Sequence, residues 1–240
     1  MPILFALNLS RPRLRLGVGV LAILSASILL TLFRSSLGTA ATVVTAPADP
    51  IAAVAGALRV AVMIEGAGVY GAGVLIDPAH GRVLTNQHVV QDMHTPRVSA
   101  YDGRTGVGVV LAVDKVRDLA ILSVPALVTP GLAPPRMGDA GHLQPGEEVY
   151  AVGMPRKLPF TVSRGVVSFV GREMDGARYL QVDMNINDGN SGGPVVSATG
   201  EVVGIMSFIY RRSQGLSFAL PTSEIVSAFP GALPVIAQKL

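Results

Sequence analysis

Glycine and proline divide this chain into short apolar runs, and that spacing constrains the fold more than any other feature. The 240 residues include 27 glycines and 17 prolines. They fall at short intervals between apolar segments, which reads as many short strands joined by tight turns. Alternation is visible in Leu58-Arg59-Val60-Ala61-Val62-Met63-Ile64 and in Val202-Val203-Gly204-Ile205-Met206-Ser207-Phe208, so both are expected as strands. One short helix is expected from Thr222 to Phe229, with Thr222 as its N-cap and Glu224 in its first turn. No internal repeat of solenoid type is present. The expected class is all-β, and roughly 180 residues beyond the N-terminal segment suffice for two small six-stranded antiparallel barrels sharing one cleft.

The N-terminal segment has a different character. Arg11, Arg13 and Arg15 precede an uncharged apolar run from Leu16 to Phe33, which Arg34 closes. Such a run lies near the lower limit for spanning a bilayer. Arginines before it and few after it place the N-terminus inside and the rest of the chain outside. A cleaved signal peptide is the rival reading, with Gly38-Thr39-Ala40 as a passable cleavage site. The run is long for a signal peptide, so a retained anchor within residues 1–40 is expected. Residues 41–56 read as a linker, 57–228 as the folded domain and 229–240 as a tail. The chain has no cysteine, so no disulfide is required in an exported compartment. Its net charge of +3 is scattered, and no basic cluster interleaved with aromatics supports nucleic-acid binding.

Gly189-Asn190-Ser191-Gly192-Gly193-Pro194 holds a serine among glycines. That arrangement presents a hydroxyl and frees backbone N–H groups to turn toward a developing oxyanion. Alone, the hexapeptide also fits the nucleophile elbow of α/β-hydrolases, or an ordinary turn. A serine nucleophile needs a base, and the base needs an orienting group. The four histidines, His80, His88, His94 and His142, all precede Ser191, which excludes the order serine, acid, histidine. An order of acid, histidine, serine would need Asp49 or Asp77, and both precede a proline. The order left is histidine, aspartate, serine. His88 lies where an apolar strand runs out into Thr85-Asn86-Gln87-His88, while the other histidines lie in solvated loops. Asp118 opens the apolar run Asp118-Leu119-Ala120-Ile121-Leu122, where an imidazole N–H would satisfy a carboxylate that burial otherwise penalises. Its competitor Asp114, beside Lys115, reads as a solvated turn residue.

These segments resemble the HtrA/Deg family of trypsin-like serine proteases. Gly71 to Val90, Asp118 to Leu122, Val152-Gly153-Met154-Pro155 with Thr161 to Ser168, Gln181 to Pro194, and Gly215 to Pro221 are similar to five of its motifs, in the family's order. The resemblance implies a chymotrypsin-type fold with His88 as general base, Asp118 as its orienter and Ser191 as nucleophile. It implies an oxyanion hole at the N–H groups of Gly189 and Ser191. The implied activity is endopeptidase action on unfolded or exposed polypeptide segments outside the cytoplasm, without cofactor or metal. Asn185, Ile186 and Asn187 would floor the specificity pocket, and Ser207, Phe208 and Ile209 would form its wall and pair with substrate. Ile186 implies small or medium aliphatic side chains before the scissile bond. A hairpin tip at Tyr210-Arg211-Arg212-Ser213-Gln214 is expected beside the cleft.

The departures carry expectations of their own. Asp188 is expected to face solvent, since an inward carboxylate would oppose the oxyanion. Asn190 stands where digestive relatives carry an aspartate that pairs with a freed N-terminus, so activity should depend on ordering of residues 186–190. The pattern ends near residue 228, too close to Leu240 for a PDZ domain. The family often forms trimers, and a homotrimer is a partner expectation here, along with the membrane. The rival function is a non-catalytic module that captures extended peptides on the same scaffold.

Overall fold

The computed structural model describes residues 49–209 and 215–230. The expected anchor, Arg211 and Arg212 in the hairpin tip, and residues 231–240 of the tail lie outside them. Among the described residues, no helix is long and apolar enough to cross a membrane.

Thirteen strands and three short α-helices make up the described fold. The first lobe is a seven-stranded antiparallel sheet of β1 (Ala61–Gly66), β2 (Val69–Asp77), β3 (Arg82–Asn86), β4 (Arg97–Ala100), β5 (Thr105–Val107), β6 (Val109–Asp114) and β7 (Leu119–Ser123). Their spatial order is β5-β4-β1-β2-β3-β7-β6. The second lobe is a closed six-stranded barrel of β8 (Glu148–Gly153), β9 (Thr161–Met174), β10 (Ala177–Asp183), β11 (Pro194–Ser197), β12 (Val202–Ile209) and β13 (Ser217–Pro221). Two closed six-stranded barrels were expected, and only the second is one. The reason lies at Gly108, whose N–H donates to the Pro96 carbonyl at 2.8 Å. It splits one length of chain into β5, which pairs with β4, and β6, which pairs with β7. The two ends of the sheet are therefore joined by the chain and not by a ladder.

Ile64, Leu75, Leu122 and Leu127 lie within the core of the first lobe, and Val149, Val182, Val203 and Met206 within that of the barrel. Between the lobes, Leu84, Leu119 and Ile121 pack with Tyr179, Ile205, Leu220 and Ile225. Each fully buried Leu or Ile contributes about 1.5–3 kcal/mol, so this shared layer fixes how the lobes meet. The cleft at their junction inherits that rigidity.

Helix α1 (Pro50–Val60) replaces part of the expected linker. Asp49 caps it, accepting from the N–H groups of Ile51 at 3.0 Å and Ala52 at 3.2 Å, and proline suits the first helical position because its missing N–H would be unpaired there. The helix buries Ala53, Ala57 and Val60 and packs on β8 and β11. Asp49-Pro50 was the start signal that the alanine-rich composition hid. The expected alternating strand at Leu58–Ile64 is half helix, and Ala61, Val62, Met63 and Ile64 are all buried. The strand expected over Val202–Phe208 is present as β12, but Val202 to Ser207 are buried without alternation, because both faces of that strand meet protein.

Helix α2 is a single turn, Gln87–Val90, and α3 spans Thr222–Ala228. Thr222 is not the N-cap of α3: Pro221 holds that position. The Thr222 hydroxyl donates to the Gly138 carbonyl at 2.6 Å instead.

Candidate active site

His88 leaves the end of β3 on the turn α2. Asp118 sits immediately before β7, and β3 and β7 are neighbours in register from Arg82↔Ser123 to Asn86↔Leu119. That ladder brings the two residues together across 30 positions of sequence. Asp118 Oδ2 lies 2.6 Å from His88 Nδ1, and Oδ1 accepts from the His88 N–H at 2.8 Å. The Asp118 carbonyl accepts from Gln87 N at 3.0 Å and from Asn86 Nδ2 at 2.9 Å. Asp118 has φ 54°, a left-handed conformation uncommon for a residue with a side chain. These four bonds hold it there.

The turn before Asp118 is tied to the second lobe. Arg117 Nε donates to Glu224 Oε2 at 2.8 Å and Nη1 to Asp114 Oδ2 at 3.1 Å. Hydrogen bonds to Glu224 and then Asp114 hold the Arg117 guanidinium above its ordinary pKa. Asp114 was expected to be a solvated turn residue and is not. Burial opposes its ionisation, yet bonds from the N–H and guanidinium of Arg117 and the N–H of Val116 leave its carboxyl below the usual range. Tyr179 packs nearby; burial pushes its phenol up, with the Asp118 charge adding to the effect. The other histidines behave as loop residues: His80 and His142 are 71% and 88% exposed, and His94 is exposed as well.

Ser191 arrives from the barrel, between β10 and β11. Its carbonyl accepts from Ala72 N of β2 at 2.8 Å, and Gly192 N donates to the Met206 carbonyl at 2.7 Å. Gly192 has φ +83°, and a Cβ there would overlap the Ala72 carbonyl and the Thr85 hydroxyl. Only glycine lets the serine loop lie this close to the first lobe. Gly189 has φ +101°; a Cβ would overlap the Met154 carbonyl and lie 2.7 Å from Tyr70 Cε2. Its carbonyl accepts from Met154 N at 2.9 Å. Among the described residues, no hydrogen bond engages the N–H of Gly189 or of Ser191. Two uncommitted donors flanking a hydroxyl can bind an oxyanion.

Gly189→Ala is accordingly expected to slow peptide hydrolysis by about 100-fold or more, the cost of a displaced oxyanion donor. Comparison of kcat with wild type checks it, and a loss under about threefold would put the oxyanion site elsewhere.

Asn190 is buried, and its Nδ2 has no hydrogen-bond partner among the described residues. The loop is ordered instead by backbone bonds, including Gly193 N to the Asn190 carbonyl at 3.0 Å and Asn190 N to the Asn187 carbonyl at 3.2 Å. Asp188 is exposed, at the rim.

A cleft of about 140 Å³ is lined by His88, Ile186, Asn187, Asp188, Ser191, Met206, Ser207 and Phe208. Ile186 packs against the barrel core as well as lining the cleft. Asn185 is exposed and does not line it. Ile209 ends β12, its backbone paired with Ser217, and its side chain lies outside what the structure describes. Met206 was missed by sequence reasoning: the β12–β13 ladder shifts register between Met206 and Phe208, so simple alternation along the strand could not place it on the cleft. Phe208 is braced by Tyr179 and Phe218, with ring centroids 5.1 and 4.9 Å away. The Ser191 hydroxyl donates to the Ser207 carbonyl at 3.2 Å, and not to His88.

Residues 71–205, more than half of the chain, match the family described as trypsin-like peptidase domain. The chain is similar to the putative serine protease HhoB of Synechocystis sp., 39% identical over 63% of this chain and 37% of that protein. It is also similar to the probable periplasmic serine endoprotease DegP-like of Marinomonas sp., 40% identical over 65% of this chain and 34% of that one. It thus spans about a third of the length of the curated relatives it matches. Among solved structures it resembles the HtrA-type protease AlgW with tripeptide, with TM-score 0.71 and 28% identity over 78% of this chain and 64% of that chain. The serine endoprotease from Yersinia pestis gives TM-score 0.65 and 31% identity, covering 76% and 66%. On this fold, this serine loop and these relatives, the chain belongs to the trypsin-like peptidase family and is of the HtrA/Deg type.

Proposed function

We propose that the protein is a serine endopeptidase that cleaves exposed or unfolded polypeptide segments outside the cytoplasm. The observation that carries this reading is the meeting of an Asp118-held His88 and Ser191 on one cleft, beside two uncommitted N–H groups. In the reaction, Ser191 Oγ forms a bond to the peptide carbonyl carbon while its proton passes to His88 Nε2. The carbonyl oxygen becomes an oxyanion bound by the N–H groups of Gly189 and Ser191. His88 then returns the proton to the leaving amine as the C–N bond breaks, and water repeats the sequence on the acyl-enzyme. The Ser191 hydroxyl must first give up its bond to the Ser207 carbonyl. A substrate N–H pairing with Ser207 would displace it.

The lining of Ile186, Met206 and Phe208 favours small or medium aliphatic side chains before the scissile bond. Cleavage of a peptide library after valine, alanine and leucine is expected, and cleavage mainly after lysine or arginine would refute it. Extracytoplasmic action rests on the arginine-flanked apolar run at residues 16–33 and on relatives named as periplasmic endoproteases. Membrane anchoring and trimer formation are parts of the same proposal.

A peptide-capturing module is the second reading, favoured by the Ser191 hydroxyl bonding to Ser207 and not to the imidazole. A fluorophosphonate probe separates the two. Full-length wild type should be labelled, and Ser191→Ala and His88→Ala should not. Binding of unfolded protein without any labelling would favour the capture module.

A further inference from the structure

The cleft lined by Ile186, Met206 and Phe208 receives what precedes the scissile bond, so the leaving-group side of the substrate must exit past the opposite flank of Gly189. That flank is built by Tyr70 and by the loop after β8. Tyr70 Cε2 is the side-chain atom closest to a Cβ placed on Gly189. Lys157 Nζ lies 5.6 Å from the centroid of the Tyr70 ring. The loop is bonded to the serine loop through Met154 N to the Gly189 carbonyl at 2.9 Å and Arg156 N to the Asp188 carbonyl at 3.4 Å.

Two features mark this loop as more than a connection. Arg156, Lys157 and Phe160 have φ of 51°, 64° and 57°, three left-handed residues with side chains within one short loop. Such conformations cost free energy and gather where a site needs them. Arg156 and Lys157 are both exposed, and neither forms an ion pair with a carboxylate among the described residues. Of the nearby carboxylates, Asp188 lines the cleft, and Glu65 stands in register with both Tyr70 and Arg97 in the ladders of β1.

We infer that Lys157, with Arg156, selects substrates carrying an acidic side chain at the first or second position after the scissile bond. The acyl part of such a segment would lie in the cleft and its carboxylate would meet the ammonium above Tyr70. This inference rests on the endopeptidase reading.

The test uses the full-length chain and pairs of fluorogenic peptides that share an aliphatic residue before the scissile bond and differ by Glu or Gln at one of the next two positions. The wild-type ratio of kcat/KM, Glu over Gln, is expected to be about two to five at low salt, the range of an exposed charge contact, and to shrink in about 0.5 M salt. In Lys157→Asn, whose new residue tolerates left-handed backbone, the ratio should fall toward one. In Lys157→Glu it should drop below one and favour a Lys-bearing peptide. Ratios are internal to each variant, so partial loss of folded enzyme does not disturb them. A wild-type ratio of one, or a preference that survives Lys157→Asn and Lys157→Glu, overturns the inference while leaving the endopeptidase intact. Absence of both cleavage and fluorophosphonate labelling in wild type removes the two together.

Discussion

Ser191→Ala is expected to lower kcat by about a millionfold, and Ser191→Ala combined with His88→Ala by no more than either change alone. Nucleophile and base act as one unit, so removing either forfeits the whole covalent route. What survives is binding and the oxyanion donors, together worth about 10³–10⁴-fold over water. The substitution removes one hydroxyl and its bond to the Ser207 carbonyl, so thermal stability should move little. Hydrolysis of a fluorogenic peptide, followed beside a melting curve, checks both halves. A loss of less than about tenfold would show that Ser191 is not the nucleophile, and a double variant far worse than the singles would show that serine and histidine act separately.

Asp118→Asn carries the second large effect, about 10⁴-fold in kcat. Asp118 Oδ2 lies 2.6 Å from His88 Nδ1; a carboxylate there accepts the Nδ1 proton and leaves Nε2 bare for the proposed role as base. An amide N–H in that place would donate to Nδ1 and put the imidazole proton on Nε2, where it cannot take the serine proton. Asparagine tolerates the φ of 54° at this position, so the loss should come without a collapse of the fold. Near-normal melting with activity down by four orders is the expected pair of results. Activity within tenfold of wild type would mean that the Asp118 carboxylate does not set the tautomer.

How much was legible beforehand follows the reach of each interaction. The strands and the candidate partners were readable because chain order, turn glycines and an aspartate at the mouth of an apolar run are local marks. Helix α1 was not, because alanine and proline dominated its composition and only Asp49-Pro50 signalled a start. Asp114 was misjudged because the partner that buries it includes Arg117, which itself reaches Glu224 in the other lobe. Thr222 looked like a cap until Gly138, from a distant loop, offered a better acceptor. Met206 was hidden because a fully buried strand has no polar face to reveal which side lines the cleft.

By itself, the sequence determined the β class of the folded domain, the only workable order of histidine, aspartate and serine, and the glycine positions around Ser191. Each of these depends on backbone permission or on which residue types can do the chemistry. Tertiary structure alone decided that the two ends of the first lobe's sheet are joined by the chain at Gly108, that the Ser191 hydroxyl rests on Ser207, and that Tyr70 stands beside Gly189 with Lys157 over its ring. Those are contacts between segments far apart in sequence. They are set by how two lobes pack on the layer of Leu84, Leu119, Ile121, Ile205 and Leu220, and no local pattern along the chain encodes that distance.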